Sequence, residues 1–308
     1  KMTLPELQRR GYPDAIAIGS LAGAGTLGLL IPPSIIMIVY GVAAEVSIAQ
    51  LFMAGILPGL LLAGLFSGYL VVWALRHPRL VPPADTQLGL VQKLHESRHL
   101  IPVVLLIVAV LGSIYTGIAT ATEAAAVGVV GALALSAAQG SLSWQTFKDS
   151  LLGGTRLYCM IALILAGAAF LTLSMGYIGL PRHLAEWIGS LGLSQWQLLL
   201  ALAVFYIVLG CFLDGISMVV LTIGVVMPTV VKAGIDPLWF GIFVVLVVEM
   251  AQITPPVGFN LFVLQGMTGR EIGWIARVTM PFFWCMAAAI VLVTLFPAIV
   301  TVLPQTVM

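Results

Sequence analysis

The sequence predicts an all-α polytopic membrane protein built from an inverted repeat, with two broken helices and re-entrant hairpins. Three observations predict it. First, the 308-residue chain is 61% hydrophobic and only 8% charged, with a mean hydropathy of +1.13. A soluble domain carries about 25% charged residues, so such a surface would not keep a 32.6 kDa globule in water. Second, apolar stretches of about 20 residues, the length that crosses a bilayer as a helix, recur along the chain. Third, landmark prolines and glycines recur at one fixed offset. The composition excludes a cytosolic enzyme, a secreted disulfide scaffold and a disordered chain. A net charge of +1 with no basic patch gives nothing for nucleic acid to hold. Cys159, Cys211 and Cys285 stand singly in apolar runs and suggest neither zinc nor a disulfide.

The apolar segments fall at 15–41, 57–75, 100–118, 121–138, 157–178, 196–213, 215–230, 237–264 and 280–302. Residues 76–99 form the one long polar interruption, with Arg76, Arg79, Asp85, Lys93, Glu96 and Arg98 around Pro82-Pro83, and read as a solvated loop. His95 and His99 stand four apart there with Glu96 between them, an HExxH spacing, but in a polar loop rather than on a recognisable helix, so they read as loop residues and not as a metal site. Stretches 47–59, 143–154 and 271–281 start polar, carry apolar residues at helical spacing and end at Gly or Pro. They suit amphipathic helices along the interface, or ordinary helix entries.

Two segments are broken in their middles. The first carries Thr26, Gly28, Ile31, Pro32, Pro33 and Ser34, and the second Thr254, Pro255, Pro256, Gly258 and Asn260. A Pro-Pro pair removes two backbone donors and clashes with the preceding turn. An unwound stretch at membrane depth persists only where protein or a wet cavity satisfies the freed carbonyls. An offset of 223 positions superimposes Pro5 on Pro228, Arg9 on Lys232, Gly11 on Gly234, Pro32-Pro33 on Pro255-Pro256 and Pro58 on Pro281. The chain therefore divides into 1–60, the end of a first repeat; 61–120, connecting helices with loop 76–99; and 121–302, a second repeat with hairpin 196–230 and broken helix 237–264. With simple alternation of sides, eleven of the thirteen basic residues fall on one face of the membrane and only Arg182 and Lys232 on the other. The positive-inside rule makes the first face cytoplasmic and inverts the two copies.

Discontinuous helices of inverted repeats are where many secondary transporters build ion and substrate sites. Unwound carbonyls attract Na⁺, and half-helix N-termini attract anions. The hard oxygen donors on offer are Thr26, Ser34, Thr254 and Asn260 in the breaks, and Asp214 and Ser217 in the polar hairpin turn that starts at Gly210. Ser34, Asp214 and Thr254 are the leading Na⁺ candidates. The competing role for each hydroxyl is a bond to the carbonyl one turn back. Three acids lie in apolar segments, each costly there. Glu123 stands three residues after Thr120, a capping-box spacing. Glu249, five residues before Thr254, reads as a coupling group or as one half of a packing ion pair, with the structural role preferred, and Asp214 reads as the functional acid.

At IPPS (31–34) and TPPVG (254–258) the chain resembles the large membrane subunit of TRAP (tripartite ATP-independent periplasmic) transporters. The supporting stretches are RRGYPDAIAIGSLAGAGTLGLLIPPSIIMIVYG, TGIATATEAAAVGVV, FLDGISMVVLTIGVVMPTVVKAGIDPLWFGI and VEMAQITPPVGFNLFVL, in the family's order and over nearly the whole chain. The resemblance implies an elevator-type permease of the bacterial inner membrane, with no catalytic residues and no cofactor besides Na⁺ as coupling ion. It implies a small TRAP membrane subunit and a periplasmic substrate-binding protein as partners. Its substrate would be an organic anion such as a C4-dicarboxylate, a sialic acid or a similar sugar or keto acid. The alternative is a related anion symporter of inverted-repeat architecture that works without a binding protein. Carried over by resemblance, Gly28 and 31–34 match the first break, 254–258 the second, and 210–217 the hairpin turn. Val247 stands where the family usually has Asn, and Ala251 where it has Gly. The family's first hairpin turn would lie before Lys1, and the repeat places about 120 residues upstream of it, so a truncated permease is expected.

Overall fold

The computed structural model describes residues 3–83, 97–210, 212–255 and 258–307. Cys211, Pro256, Val257 and His95 lie outside them. Among the described residues regular structure is entirely helical. In order the helices are α1 (Thr3–Arg9), α2 (Asp14–Leu30), α3 (Ile35–Ala43), α4 (Ile48–Arg76), α5 (Ile101–Tyr115), α6 (Ala121–Ala138), α7 (Trp144–Ile178), α8 (Leu180–Ser190), α9 (Gln195–Leu209), α10 (Gly215–Lys232), α11 (Pro237–Gln252), α12 (Phe259–Thr268), α13 (Ile272–Leu295) and α14 (Ala298–Val307). Five of them, α4, α6, α7, α10 and α13, are long and apolar enough to cross a membrane. The pair α2 and α3, bent by 41° at its break, makes a sixth if taken as one span. The chain is an all-helical, multi-pass membrane protein.

The helix boundaries follow local chemistry. Thr120 and Glu123 form the expected capping box: Glu123 accepts the Thr120 N–H at 2.8 Å and Thr120 accepts the Glu123 N–H at 3.3 Å. Ser194 and Gln197 do the same for α9. Segment 280–302 is not one helix. α13 ends at Leu295, and Pro297, which cannot continue a helix, separates it from α14. The three stretches proposed as interfacial helices run without interruption into α4, α7 and α13, because Pro58 and Pro281 are held inside their helices.

The chain forms two compact units: residues 1–82 with 164–308, and residues 83–163. In the smaller unit α5 and α6 meet through small residues; a Cβ on Gly131 would lie 2.4 Å from Leu106 Cδ1. Close approach of this kind replaces the hydrophobic drive that lipid removes. The larger unit is organised around α11, whose residues 239–252 are all buried. It packs against α2, α3, α4, α9, α10, α12, α13 and α14. A second cluster joins Leu4 of α1, Ile18 and Ala22 of α2, Leu261 of α12 and Ile275 of α13.

The two stretches matched by the offset carry the same succession of elements. α1 and α10 end at glycines in the left-handed conformation, Gly11 at φ +84° and Gly234 at φ +72°. A helix of 17 residues (α2) or 16 (α11) follows, then a break, a helix of 9 (α3) or 10 (α12), and a long helix with an internal proline (α4, α13).

Candidate functional site

The site assembles where α11 ends. Its last turn tightens as Ile253 N–H bonds Met250 O at 3.2 Å and Thr254 N–H bonds Ala251 O at 3.1 Å. The Thr254 hydroxyl donates to Met250 O at 2.7 Å. The chain then folds back so that Gly258 N–H reaches Thr254 O at 3.0 Å. Gly258 has to be glycine there: a Cβ would lie 2.5 Å from Gln252 O and 2.9 Å from Thr254 O. No side chain caps α12, which starts from Gly258. Asn260 in its first turn presents a buried amide Nδ2 with no hydrogen-bond partner. It faces α2, where a Cβ on Gly25 would sit 4.0 Å away. Pro255 is exposed.

The hairpin turn packs on this end of α11. A Cβ on Gly210 would lie 2.4 Å from Ala251 Cβ, and one on Gly215 would lie 2.5 Å from Gln252 Nε2 and 3.3 Å from Ile36 Cδ1. The hairpin turn, the end of α11 and the start of α3 therefore meet at one place. Asp214 caps α10, accepting the N–H groups of Ile216 at 3.1 Å and Ser217 at 3.2 Å and the Ser217 hydroxyl. Within the hairpin Tyr206 and Thr222 share a buried hydrogen bond of 2.7 Å.

The first break differs. Ser34 is buried, donates to Leu29 O and accepts Met37 N–H at 3.4 Å, so its hydroxyl closes both helix ends. Pro32 is buried, while Ile31 and Pro33 are exposed. Thr26, one turn back, is buried and donates to Gly23 O at 2.7 Å, beside Met286 Sδ at 4.0 Å. Gly28 has open space on its Cβ side. The sequence candidates are thus brought together at the second break and hairpin turn. Ser34, Asp214 and Thr254 each bond within their own segment and not to one another. Ala251 is the contact surface for Gly210, and Val247 is fully buried. Gln252, whose amide marks the meeting of α11 and α10, was not singled out by sequence; a polar residue immediately before a Thr-Pro-Pro break was the available signal.

The family model for the tripartite ATP-independent periplasmic transporter, DctM component, matches residues 1–299. The chain belongs to the DctM family of TRAP transporter permeases. It is 36% identical over 298 residues to the C4-dicarboxylate TRAP transporter large permease protein DctM of Pseudomonas aeruginosa, covering 96% of this chain and 69% of that one. It is 31% identical over 302 residues to the isethionate TRAP transporter permease protein DctMQ of Oleidesulfovibrio alaskensis, covering 97% of this chain and 47% of that one. To the ectoine/5-hydroxyectoine TRAP transporter large permease protein UehC of Ruegeria pomeroyi it is 32% identical over 299 residues, covering 96% and 68%. These DctM-family relatives are transport permeases and not enzymes, and their named substrates differ.

Proposed function

We propose that this permease carries an organic anion across the bacterial inner membrane, driven by Na⁺, with a small membrane subunit and a periplasmic binding protein as its partners. The observation that carries the reading is the second break: an uncapped helix N-terminus beside an unpartnered amide, against a hairpin turn that holds a carboxylate. The N-terminus of α12 and Asn260 Nδ2 suit an anionic substrate group, since both are donors without a protein acceptor. The coupling ion belongs on the oxygen side. Backbone carbonyls of 252–255, the Thr254 hydroxyl and Asp214 supply it. A hydroxyl that donates back to its own helix keeps its lone pairs free, so Thr254 can still ligate a cation. Ser34 acts here as a cap. The matched element order around the two breaks supports an inverted repeat, and the charge asymmetry supports a cytoplasmic side that holds Arg9, Arg270 and Arg277. A C4-dicarboxylate is the leading substrate class, from the relatives' printed names.

The test is uptake by the permease reconstituted with both partners into vesicles. Radiolabelled succinate and isethionate serve as probes, with an inward gradient of NaCl or of choline chloride. Accumulation in NaCl alone is expected. Equal accumulation in both salts overturns Na⁺ coupling, and no uptake without the binding protein is the expected sign of a tripartite system.

A further inference from the structure

Glu249 lies on α11, one turn before the second break, and is fully buried. Neither of its carboxyl oxygens has a hydrogen-bond partner. Its sequence neighbours Val245, Leu246, Val248 and Met250 are buried and apolar. Of the two roles the sequence offers this acid, the packing ion pair needs a partner that its carboxyl oxygens do not have.

Among the described residues the elements packed against α11 supply no countercharge. On α2, Asp14 pairs with Arg270. On α3, the Tyr40 hydroxyl donates to Pro237 O at 2.6 Å, at the opposite end of α11. On α4, Tyr69 packs edge-on against Phe282 and Arg76 is exposed. Tyr206 of α9 is bonded to Thr222. On α10, Asp214 is occupied as a cap, and Lys232, at the far end, reaches Ala185 O. On α13, Arg277 is exposed and the Cys285 thiol faces Leu65 O. α12 and α14 carry no ionisable side chain.

A carboxylate in such a setting bears its full desolvation cost, so the form compatible with this packing is the neutral acid. A bound metal cation would need several oxygen ligands at once. Here the carboxyl oxygens have no polar protein partner, and among the described residues no group of three or more His, Cys, Asp or Glu gathers to hold a metal. The ligand that fits is a proton.

We propose that Glu249 is a proton-binding site of this permease: its carboxyl holds a proton while buried in this arrangement, and releases it when displacement of the start of α10 from the end of α11 admits water. In the release the carboxyl O–H bond breaks, the proton passes to water, and a carboxylate remains. Position favours this coupling. Gln252, one turn on, and Val248, the residue before Glu249, both touch Gly215 at the start of α10, so displacement of the hairpin alters the packing of the turn that carries Glu249. The protonation stands on the packing alone; its consequence for transport rests on the function proposed above.

Infrared spectroscopy of the purified permease tests it without any substrate. Wild-type protein is prepared with and without carbon-13 glutamate and measured from about pH 5 to 8, where exposed glutamates ionise at the lower end. The expected result is a protonated-carboxyl C=O band that persists at about pH 7, shifts with the label, and is missing from Glu249→Gln at an unchanged melting temperature. A wild type without that band, or a band retained in Glu249→Gln, overturns the proposal. So does a band that gives way to carboxylate absorption when NaCl replaces choline chloride, which would make Glu249 a Na⁺ ligand. Should Glu249→Gln fail to fold, the labelled wild type decides alone. In the vesicle assay, wild-type uptake is expected to respond to internal pH and Glu249→Gln uptake to lose that response. No uptake by the wild type under any gradient sinks the transport reading and leaves the band standing. A missing band with Na⁺-driven uptake intact sinks only the proton site.

Discussion

Between α2 and α3 the chain breaks over residues 31–34, and Ser34 bonds both the helix that ends and the helix that begins. It breaks again after α11 ends at Gln252; no side chain caps α12, which starts at Phe259, and the Asn260 amide nearby has no partner. The prolines that cause the two breaks fall at equivalent places in the two stretches. A proline pair sets where a helix stops, by removing donors and crowding the turn before it. Whether the stop is closed or left open to a ligand depends on the residue that takes the N-cap position of the next helix. At the first break this is a serine, which caps. At the second the N-cap position is taken by Gly258, two residues past the proline pair, which offers only backbone. The first break is accordingly a fixed corner, and the second leaves polar groups unmet, to which the proposed function assigns a transported species.

The largest effect that would sharpen this comparison comes from adding one methyl group to each break. Gly258→Ala places a Cβ 2.5 Å from Gln252 O, and is expected to cost about 1–3 kcal/mol of stability and most of the uptake. Gly28→Ala meets open space and is expected to gain about 0.5–1 kcal/mol through the unfolded chain. Thermal melts and vesicle uptake read both. Equal losses would mean that the two breaks are equally constrained.

Asn260→Leu is expected next in size. It removes a donor that bonds no protein group, so the melting temperature should hold or rise. Uptake should fall about tenfold or more, the worth of one hydrogen bond to a charged group. A large fall in melting temperature with uptake retained per folded molecule would make Asn260 a packing residue.

Asp214→Asn keeps the α10 cap, since Asn caps about as well as Asp, but removes the charge. Half-saturation by Na⁺ is expected to rise roughly tenfold, about 1.4 kcal/mol, with little change in stability. Unchanged Na⁺ dependence would confine Asp214 to capping. The smallest effect on transport is expected at the first break. Ser34→Ala should lower stability by about 1 kcal/mol and leave the uptake of folded protein nearly intact. A weakened response to Na⁺ would instead move Ser34 into the ion's shell and undo the distinction between a closed and an open break.

Much of the local structure was legible from residues near one another in the chain. Thr120 and Glu123, three apart, form the capping box that their spacing called for. α2 and α11 end at Leu30 and Gln252, shortly before their proline pairs in the sequence, and Asp214 caps α10 from a turn recognisable by its polar residues. The end of α13 was missed because Phe296-Pro297 stands inside a stretch whose apolar composition runs on past it. Hydropathy averages over a window and does not see a single missing donor.

Composition and short-range spacing established a helical, multi-pass membrane protein with helices interrupted at two known places, because helix hydrogen bonds and caps close within four residues. They left open which interruption is satisfied and which acid is stranded. Those depend on contacts between residues far apart in the chain: Gly210 on Ala251, Gly215 on Gln252 and Ile36, and Gly25 beside Asn260. Whether a buried group such as Glu249 finds a partner is set by whatever helix packs across from it. That is a property of the assembled bundle around α11, and no local pattern encodes it.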